Sequence, residues 1–160
     1  MRKAILLIAL IIAGAFTYAA NDETPQKQSN KEESKDSGVI KMNKEMFVNN
    51  VFDYQTAKEW KYKGNKPAII DLYADWCGPC RMVSPIMEGL AKEYENQVTF
   101  YKVNVDKEQE LASLFNATSI PLLVFIPMDG QPQLFRGAAD KPTYKKVIDE
   151  FLLKKKEAKK

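Results

Sequence analysis

The 160-residue sequence contains no histidine and only two cysteines, Cys77 and Cys80. Imidazole is the side chain best suited to proton transfer near neutral pH and a frequent metal ligand, so mechanisms that need it from within one chain are excluded. A structural zinc site usually takes four thiolate or imidazole ligands, and this chain could complete one only with carboxylates. We therefore expect no metal.

The chain also lacks a strong excess of charge of either sign. Its formal net charge is +3, from 24 basic and 21 acidic residues, and two of the basic residues are Arg2 and Lys3. So small a basic excess predicts no nucleic-acid partner. The length and an apolar content of 45% fit one globular domain with appendages, which we expect to be monomeric. Residues 156–160 are mostly lysine, and we interpret them as a solvated basic tail.

Two segments of unusual composition precede the predicted domain. Arg2 and Lys3 are followed by an apolar run that ends at Ala20, which is the pattern of an export signal. Residues 1–20 fit either a cleaved signal peptide or a membrane anchor, because about 17 apolar residues lie at the short end of a membrane span. Residues 21–37 are polar and predict a flexible linker. Both outcomes predict an extracytoplasmic domain, in a bacterial periplasm.

The apolar pattern of residues 38–155 predicts alternating strands and helices. A nearly continuous apolar run, Ala68–Tyr73, indicates a central strand that is covered on both faces. Apolar residues then recur every three or four positions from Val83 to Tyr94, which indicates an amphipathic helix. Further strands are predicted at 39–42, 97–103, 122–126 and 133–135, and further helices after Asn43, at 107–115 and from Lys141 onward. The predicted order is βαβαββα, an α/β fold.

The two cysteines lie in the segment 76–80, Trp-Cys-Gly-Pro-Cys, between the central strand and the amphipathic helix. At a helix N-terminus the free backbone N–H groups and the helix dipole stabilise an anion. The pKa of the Cys77 thiol should therefore be lowered, and its thiolate should act as a nucleophile. Cys80 lies one turn further on, less exposed and within bonding reach, as a resolving thiol must be. Pro79 between them fixes a backbone dihedral and holds the turn.

Two non-catalytic interpretations of the cysteine pair stay open. One is a structural disulfide, which is common in exported proteins, and the other is half of a zinc site. A bridge that closes so small a loop removes little chain entropy, and the chain offers no further thiolate or imidazole for zinc. Redox chemistry is the favoured interpretation, and it needs no cofactor beyond the Cys77–Cys80 disulfide itself.

From about residue 39 to residue 151 the sequence resembles the thioredoxin family, whose signature is the segment at 76–80. The resemblance implies the thioredoxin fold, a central mixed β-sheet flanked by helices, and a protein-disulfide oxidoreductase that works by dithiol exchange. It also implies a buried carboxylate six positions before the first cysteine, which is Asp71, as the proton acceptor for Cys80. Lys102 stands where the family often carries a lysine near that acid, in a modulating role.

The resemblance also implies a substrate-docking surface beside the disulfide. The Ile120–Pro121 bond would be cis and would expose the backbone of Ile120 to an extended substrate chain, whereas the alternative is a trans proline that starts a strand. The implied docking residues are Trp76, Gly78, Pro79, Ile120, Pro121 and Gly137. Two departures from the family pattern bear on the choice of partner. Tyr73 stands where many thioredoxins carry tryptophan, and residues 52–66 form a longer connection than usual.

Three functions are compatible with these residues. We favour a reductase of disulfide-bearing proteins, because Gly78 and Pro79 place no histidine beside Cys77 and its thiolate should be only moderately stabilised. Its electrons would come from a membrane relay or another thiol donor. The second hypothesis is a disulfide-forming oxidase or isomerase, and the third is a non-catalytic binding module with a structural disulfide.

Overall fold

The computed structural model describes residues 37–155 of the chain. The predicted export or anchor segment 1–20, nearly all of the predicted linker 21–37 and the predicted tail 156–160 lie outside the described residues. Those boundaries therefore stay predictions. Among the helices of the described part, none is both long enough and apolar enough to cross a membrane.

One five-stranded sheet forms the centre of the described residues, with helices on both of its faces. The strands are β1 (Val39–Lys41), β2 (Ala68–Tyr73), β3 (Thr99–Asn104), β4 (Leu122–Ile126) and β5 (Gln133–Arg136). The helices are α1 (Lys44–Asn50), α2 (Gly78–Glu93), α3 (Gln109–Leu114) and α4 (Lys141–Val147). Helix α4 continues directly into a π-helical turn at Ile148–Leu152.

The strands lie in the order β1-β3-β2-β4-β5. β3 pairs in parallel with β1 and with β2, whereas β4 is antiparallel to β2 and β5 is antiparallel to β4. The sheet is therefore mixed with β2 at its centre, which confirms the predicted fold class. The full order is βαβαβαββα, so the predicted string βαβαββα describes β2 to α4 and omits the first strand and helix, although the apolar pattern predicted both.

The two faces of the sheet bury separate apolar clusters. Successive residues of a strand point to opposite faces, so Ile69 and Ile70 of β2 belong to different clusters. Helices α2 and α4 cover the first cluster, to which Leu90 contributes, and α1 and α3 cover the second with Phe47 and Leu111. Because both faces are covered, β2 is apolar at nearly every position, as its sequence indicated.

The connection between α1 and β2, residues 52–66, packs its aromatic rings on the second cluster. The rings of Phe52 and Trp60 lie 4.8 Å apart between their centres. The hydroxyl of Tyr54 donates a hydrogen bond to Glu110 of α3 at 2.6 Å. Side chains, more than regular backbone structure, therefore attach this long connection to the domain.

The predicted start of α1 is also confirmed. The side chain of Asn43 accepts a hydrogen bond from the backbone N–H of Met46 at 2.9 Å, so one of the unpaired N–H groups of the first turn is satisfied. Asp140 does the same for α4, where it accepts from the N–H of Thr143 at 3.0 Å. The second cap bears on the candidate site, because the loop before α4 lies beside it.

Candidate active site

The two cysteines lie where β2 ends and α2 begins. Cys77 is the N-cap of α2, and its Sγ accepts a hydrogen bond from the backbone N–H of Cys80 at 3.2 Å. The side chains form a disulfide with Cα atoms 5.3 Å apart. Pro79 lies in the first turn, where its missing N–H costs no helical hydrogen bond. The strand-to-helix turn therefore places both sulfurs at the positive end of the helix dipole.

Both cysteines are almost fully covered in the disulfide form. Cys77 is 3% exposed and Cys80 is 2% exposed, so Cys80 is the less exposed of the two, as predicted, but the difference is too small to distinguish their accessibility in this state. The residues that pack with the pair are Tyr73, Ala74, Val105 and Ile120. This small apolar cluster accounts for the burial of the disulfide.

Trp76 is the most exposed large apolar side chain among the described residues, at 69%. Its indole N–H donates a hydrogen bond to Asp106 Oδ2 at 3.0 Å. Asn104, buried at the end of β3, links the loops on both sides. Its Nδ2 donates to Asp75 Oδ2 at 3.3 Å, and its Oδ1 accepts from the N–H of Asp106 at 3.0 Å. A polar network thus fixes the orientation of the exposed indole.

Sequence reasoning missed this network, although one signal points to it. The parallel strands β2 and β3 end at the same edge of the sheet, and their register pairs Tyr73 with Asn104. Polar residues that directly follow neighbouring parallel strands meet at that edge. Asp75 and Asp106 occupy such positions, so their proximity was accessible from the predicted topology.

Asp71, the predicted proton acceptor, lies two positions after Ile69 in β2 and therefore on the same face. It is 4% exposed, and its Oδ1 has no hydrogen-bond partner among the described residues. Burial removes water from the carboxylate and raises the pKa of Asp71 from 3.8 to about 7, while the charge of Lys102 lowers it in part. A carboxyl group with this pKa exchanges its proton near neutral pH, as a general acid or base must.

Lys102 lies directly opposite Asp71 in the register of β2 and β3. Residues at paired positions share a face of the sheet, so the structure brings the predicted lysine to the predicted acid. Its Nζ lies 6.0 Å from the centre of the Tyr73 ring, and the residue is half-buried. A modulating role for Lys102 stays a prediction.

The predicted docking residues also come together. The Ile120–Pro121 bond is cis, which confirms the conformation that the resemblance implies, and Ile120 packs against the disulfide cluster. The backbone N–H of Gly137 donates to the carbonyl oxygen of Pro121 at 2.9 Å. Gly137 has a φ of 89°, which glycine adopts without steric cost. Within the motif, Gly78 is half-buried and Pro79 exposed; contact of these residues with a substrate stays a prediction.

The chemistry open to this site is thiol–disulfide exchange. The disulfide is the redox group, and a buried acid of suitable pKa lies in the strand that leads to it. Within residues 37–155, no group of three or more acidic or cysteine side chains is placed to hold a metal ion.

The class of protein follows from the position of the disulfide at the start of α2 and from the sheet that places it there: the chain is a thiol–disulfide oxidoreductase with a thioredoxin fold. The family model for thioredoxin matches residues 38–150. With seven-tenths of its length matched, the chain belongs to the thioredoxin family. Its substrates are accordingly disulfide-bearing proteins, and both the family and the enzyme class that the sequence implied are confirmed.

Several curated relatives carry the same family name. The chain is 48% identical over 113 residues to the thioredoxin of Borreliella burgdorferi, a match that covers 71% of this chain and 97% of that protein. It is 33% identical over 107 residues to the thioredoxin of Pyropia yezoensis, which covers 67% and 99%. To the chloroplastic M-type thioredoxin of Spinacia oleracea it is 34% identical over 95 residues, 59% of this chain and 52% of that protein. The chain thus spans about half the length of this third relative.

Proposed function

We propose that this chain reduces protein disulfides outside the cytoplasm, with Cys77 as the attacking thiolate and Cys80 as the resolving thiol. The hydrogen bond from the Cys80 N–H to Cys77 Sγ, at 3.2 Å, carries this assignment of roles. In the reduced protein this N–H and the helix dipole would stabilise a thiolate on Cys77. Cys80 lies in the first turn of α2, and this position supports its attack on the Cys77 sulfur once a substrate is bound to Cys77.

The exchange takes place in two steps. The Cys77 thiolate attacks one substrate sulfur, the substrate S–S bond breaks, and a mixed disulfide forms while one substrate thiolate leaves. Asp71 then accepts the proton of Cys80, whose sulfur attacks Cys77, so the internal disulfide re-forms and the second substrate thiolate leaves. Both substrate thiolates take up protons. The substrate gains two electrons, and the cysteine pair loses them.

The residues between the cysteines support the reducing direction. Neither Gly78 nor Pro79 carries a charge or an imidazole that would further stabilise a thiolate on Cys77. The reduced form therefore gains little over the disulfide. We place the reduction potential near the value of about −270 mV of thioredoxin and far from the value of about −120 mV of a strong oxidase.

Redox titration of the full chain in dithiothreitol and glutathione buffers tests this direction. A Pro79→His variant is the matched control, because an imidazolium group beside Cys77 stabilises the thiolate and should move the potential upward. A wild-type potential above about −180 mV would place the chain with isomerases and oxidases and would overturn the reductase assignment.

The extracytoplasmic location is supported by Arg2, Lys3 and the apolar run that ends at Ala20. An oxidising compartment would drain electrons from the cysteine pair, so a membrane relay or another thiol compound must supply them. A Cys80→Ser variant, which cannot complete the second step, would hold its clients in mixed disulfides in cells and allow them to be identified.

The location has a direct test because the chain has no cysteine besides Cys77 and Cys80. After reduction, a membrane-impermeant maleimide should label the full chain in intact bacterial spheroplasts. An Ile8→Arg variant, which interrupts the apolar run, should be labelled only after lysis. Labelling of the wild type only after lysis would contradict the proposed location.

A further inference from the structure

Tyr144 is a fully buried phenol that the exchange mechanism does not use. It is the fourth residue of α4, which begins at Lys141 after its N-cap Asp140. Side chains of an α-helix tilt towards its N-terminus, so a long side chain at this position reaches back past the start of the helix. Its hydroxyl therefore lies near the loop that precedes α4.

The phenol oxygen bonds to that loop, residues 137–139. It accepts a hydrogen bond from the backbone N–H of Ala139 at 2.8 Å, and it donates one to the carbonyl oxygen of Gly137 at 3.5 Å. The ring packs edge-on against Phe135 of β5, with ring centres 5.4 Å apart. A single side chain thus holds both ends of the loop and the strand that leads into it.

The same loop borders the predicted docking surface. The N–H of Gly137 donates to the carbonyl oxygen of Pro121 at 2.9 Å, and Pro121 follows Ile120, which packs against the disulfide cluster. A shift of residues 137–139 would therefore move the backbone beside which a substrate chain is expected to lie. The Tyr144 hydroxyl connects this surface to the interior of the domain.

We propose that Tyr144 is a positioning residue for protein substrates: its hydroxyl fixes the loop 137–139 so that Gly137 and Pro121 present a pre-formed backbone surface to an extended chain. A surface that is already ordered binds more tightly, because less conformational entropy is lost on binding. The inference rests on the proposed function, since it requires protein disulfides to dock across this surface. A small disulfide has no flanking chain, so its reduction depends on the cysteines and Asp71 and not on this surface.

The Tyr144→Phe variant tests the proposal, because it keeps the ring in the core and removes only the hydroxyl. The matched control is Tyr94→Phe. Tyr94 is also buried, and its hydroxyl donates to Asp149 Oδ1 at 3.0 Å beyond the far end of α2. The full chain in its reduced form is mixed in single turnover with insulin, a protein disulfide, or with dithiobis(nitrobenzoate), a small disulfide.

We expect Tyr144→Phe to lower the rate constant with insulin about fivefold, the effect of one lost hydrogen bond, and to leave the rate with the small disulfide unchanged. Tyr94→Phe should change neither rate. Amide exchange gives a second readout, in which the Ala139 N–H loses protection in Tyr144→Phe and keeps it in Tyr94→Phe.

If the ratio of the insulin rate to the small-disulfide rate is the same in Tyr144→Phe and in the wild type, this proposal is overturned and the proposed function is not affected. Unchanged protection of the Ala139 amide would have the same consequence. A wild type that reduces neither disulfide would overturn the proposed function as well. The two failures are therefore distinguishable within one set of measurements.

Discussion

The acidic side chains near the two ends of α2 have opposite electrostatic environments. Before its N-terminus, β2 buries Asp71 with one neighbouring cation, Lys102, and burial raises the pKa of that carboxyl group to about 7. At its C-terminus, the exposed Glu93 bonds to Lys145 and lies 3.0 Å from Lys141, and the pKa of Glu93 is lowered by these hydrogen bonds. The ionised carboxylate of Asp71 therefore lowers stability, whereas that of Glu93 is stabilised by its lysine partners.

Tyr94 extends the contrast at the C-terminal end. Its hydroxyl donates to Asp149 and accepts from Lys145 Nζ at 3.1 Å, and the Nζ atoms of Lys145 and Lys155 lie 5.0 Å and 5.3 Å from its ring centre. These contacts join α2 to α4 and the π-helical turn. Side-chain contacts thus hold the C-terminal end of α2, which we call the fastened end, against α4 and the π-helical turn. Near the N-terminal end, which carries the cysteines and which we call the reactive end, the buried Asp71 is costly to ionise and can exchange a proton. This difference between the two ends is expected if activity requires the Asp71 carboxyl group although its burial lowers stability.

Loss of the cysteines at the reactive end has the largest expected effect. Cys77→Ser should reduce insulin turnover to the uncatalysed rate, because no thiolate remains to attack the substrate. Cys80→Ser should instead accumulate a mixed disulfide, visible by mass spectrometry under non-reducing conditions. Full turnover in either variant would contradict the assigned roles.

Asp71→Asn should stabilise the oxidised protein at alkaline pH. A pKa raised from 3.8 to about 7 means that the folded state binds this proton more tightly than the unfolded state. Stability therefore falls as pH rises from about 4 to about 7, and the cost is fully present above pH 7. At about 1.4 kcal/mol for each tenfold change in proton affinity, the variant gains at most about 4 kcal/mol at pH 8 and nothing near pH 3.5.

Urea unfolding of the wild type and of Asp71→Asn at about pH 8 and about pH 3.5 measures this difference in the free energy of unfolding. Equal stability of the two proteins at pH 8 would remove the basis of the contrast between the ends of α2.

The same substitution should slow the second exchange step, because Asn cannot accept the proton of Cys80. We expect a loss of about a hundredfold at pH 7, the lower end of the usual range for general-base catalysis. The pH–rate profile of the wild type should bend near pH 7, where Asp71 titrates, and that of Asp71→Asn should not. An identical bend in both profiles would assign it to another group.

Tyr94→Phe should lower the free energy of unfolding by about 1 kcal/mol, the usual net value of a buried hydrogen bond. Because Tyr94 lies at the opposite end of α2 from the cysteines, turnover should stay at the wild-type level. Urea unfolding at pH 7 and insulin turnover together check both parts, and a loss of activity would show that the two ends are coupled.

Glu93→Gln should have the smallest effect. Its ion pairs with Lys141 and Lys145 are exposed, and salt screens such pairs strongly. The small loss in melting temperature at low ionic strength should disappear in about 1 M salt. A loss that persists at high salt would indicate that packing, and not charge, fastens this end.

The strands were predictable where the apolar run is uninterrupted. β2 and β4 have the predicted bounds, whereas β3 begins at Thr99 and not at residue 97. The N–H groups of Gln97 and Val98 both bond to the carbonyl oxygen of Tyr94, so these residues close the turn after α2. The π-helical turn at Ile148–Leu152 was missed, because its apolar spacing equally fits a continuous α-helix.

The candidate site was predictable where it is local in sequence or carried by the family resemblance. Cys77, Cys80 and Asp71 lie within one strand and one helical turn, and their meaning follows from that junction. The bond from Asn104 to Asp75 and the bonds from Tyr144 to its loop depend instead on how far a side chain reaches across the folded domain. No periodicity in the sequence reports such distances, and only the packed structure reveals them.

The positions of the two tryptophans have an optical consequence. Trp76 adjoins the disulfide and is held in the solvent by Asp106, whereas Trp60 is packed on Phe52 in the connection before β2. A disulfide quenches the emission of a neighbouring indole, so reduction should brighten Trp76 and leave Trp60 nearly constant. The change in tryptophan emission therefore reports the redox state of the cysteine pair over a constant background from Trp60, and the exchange can be followed without a label.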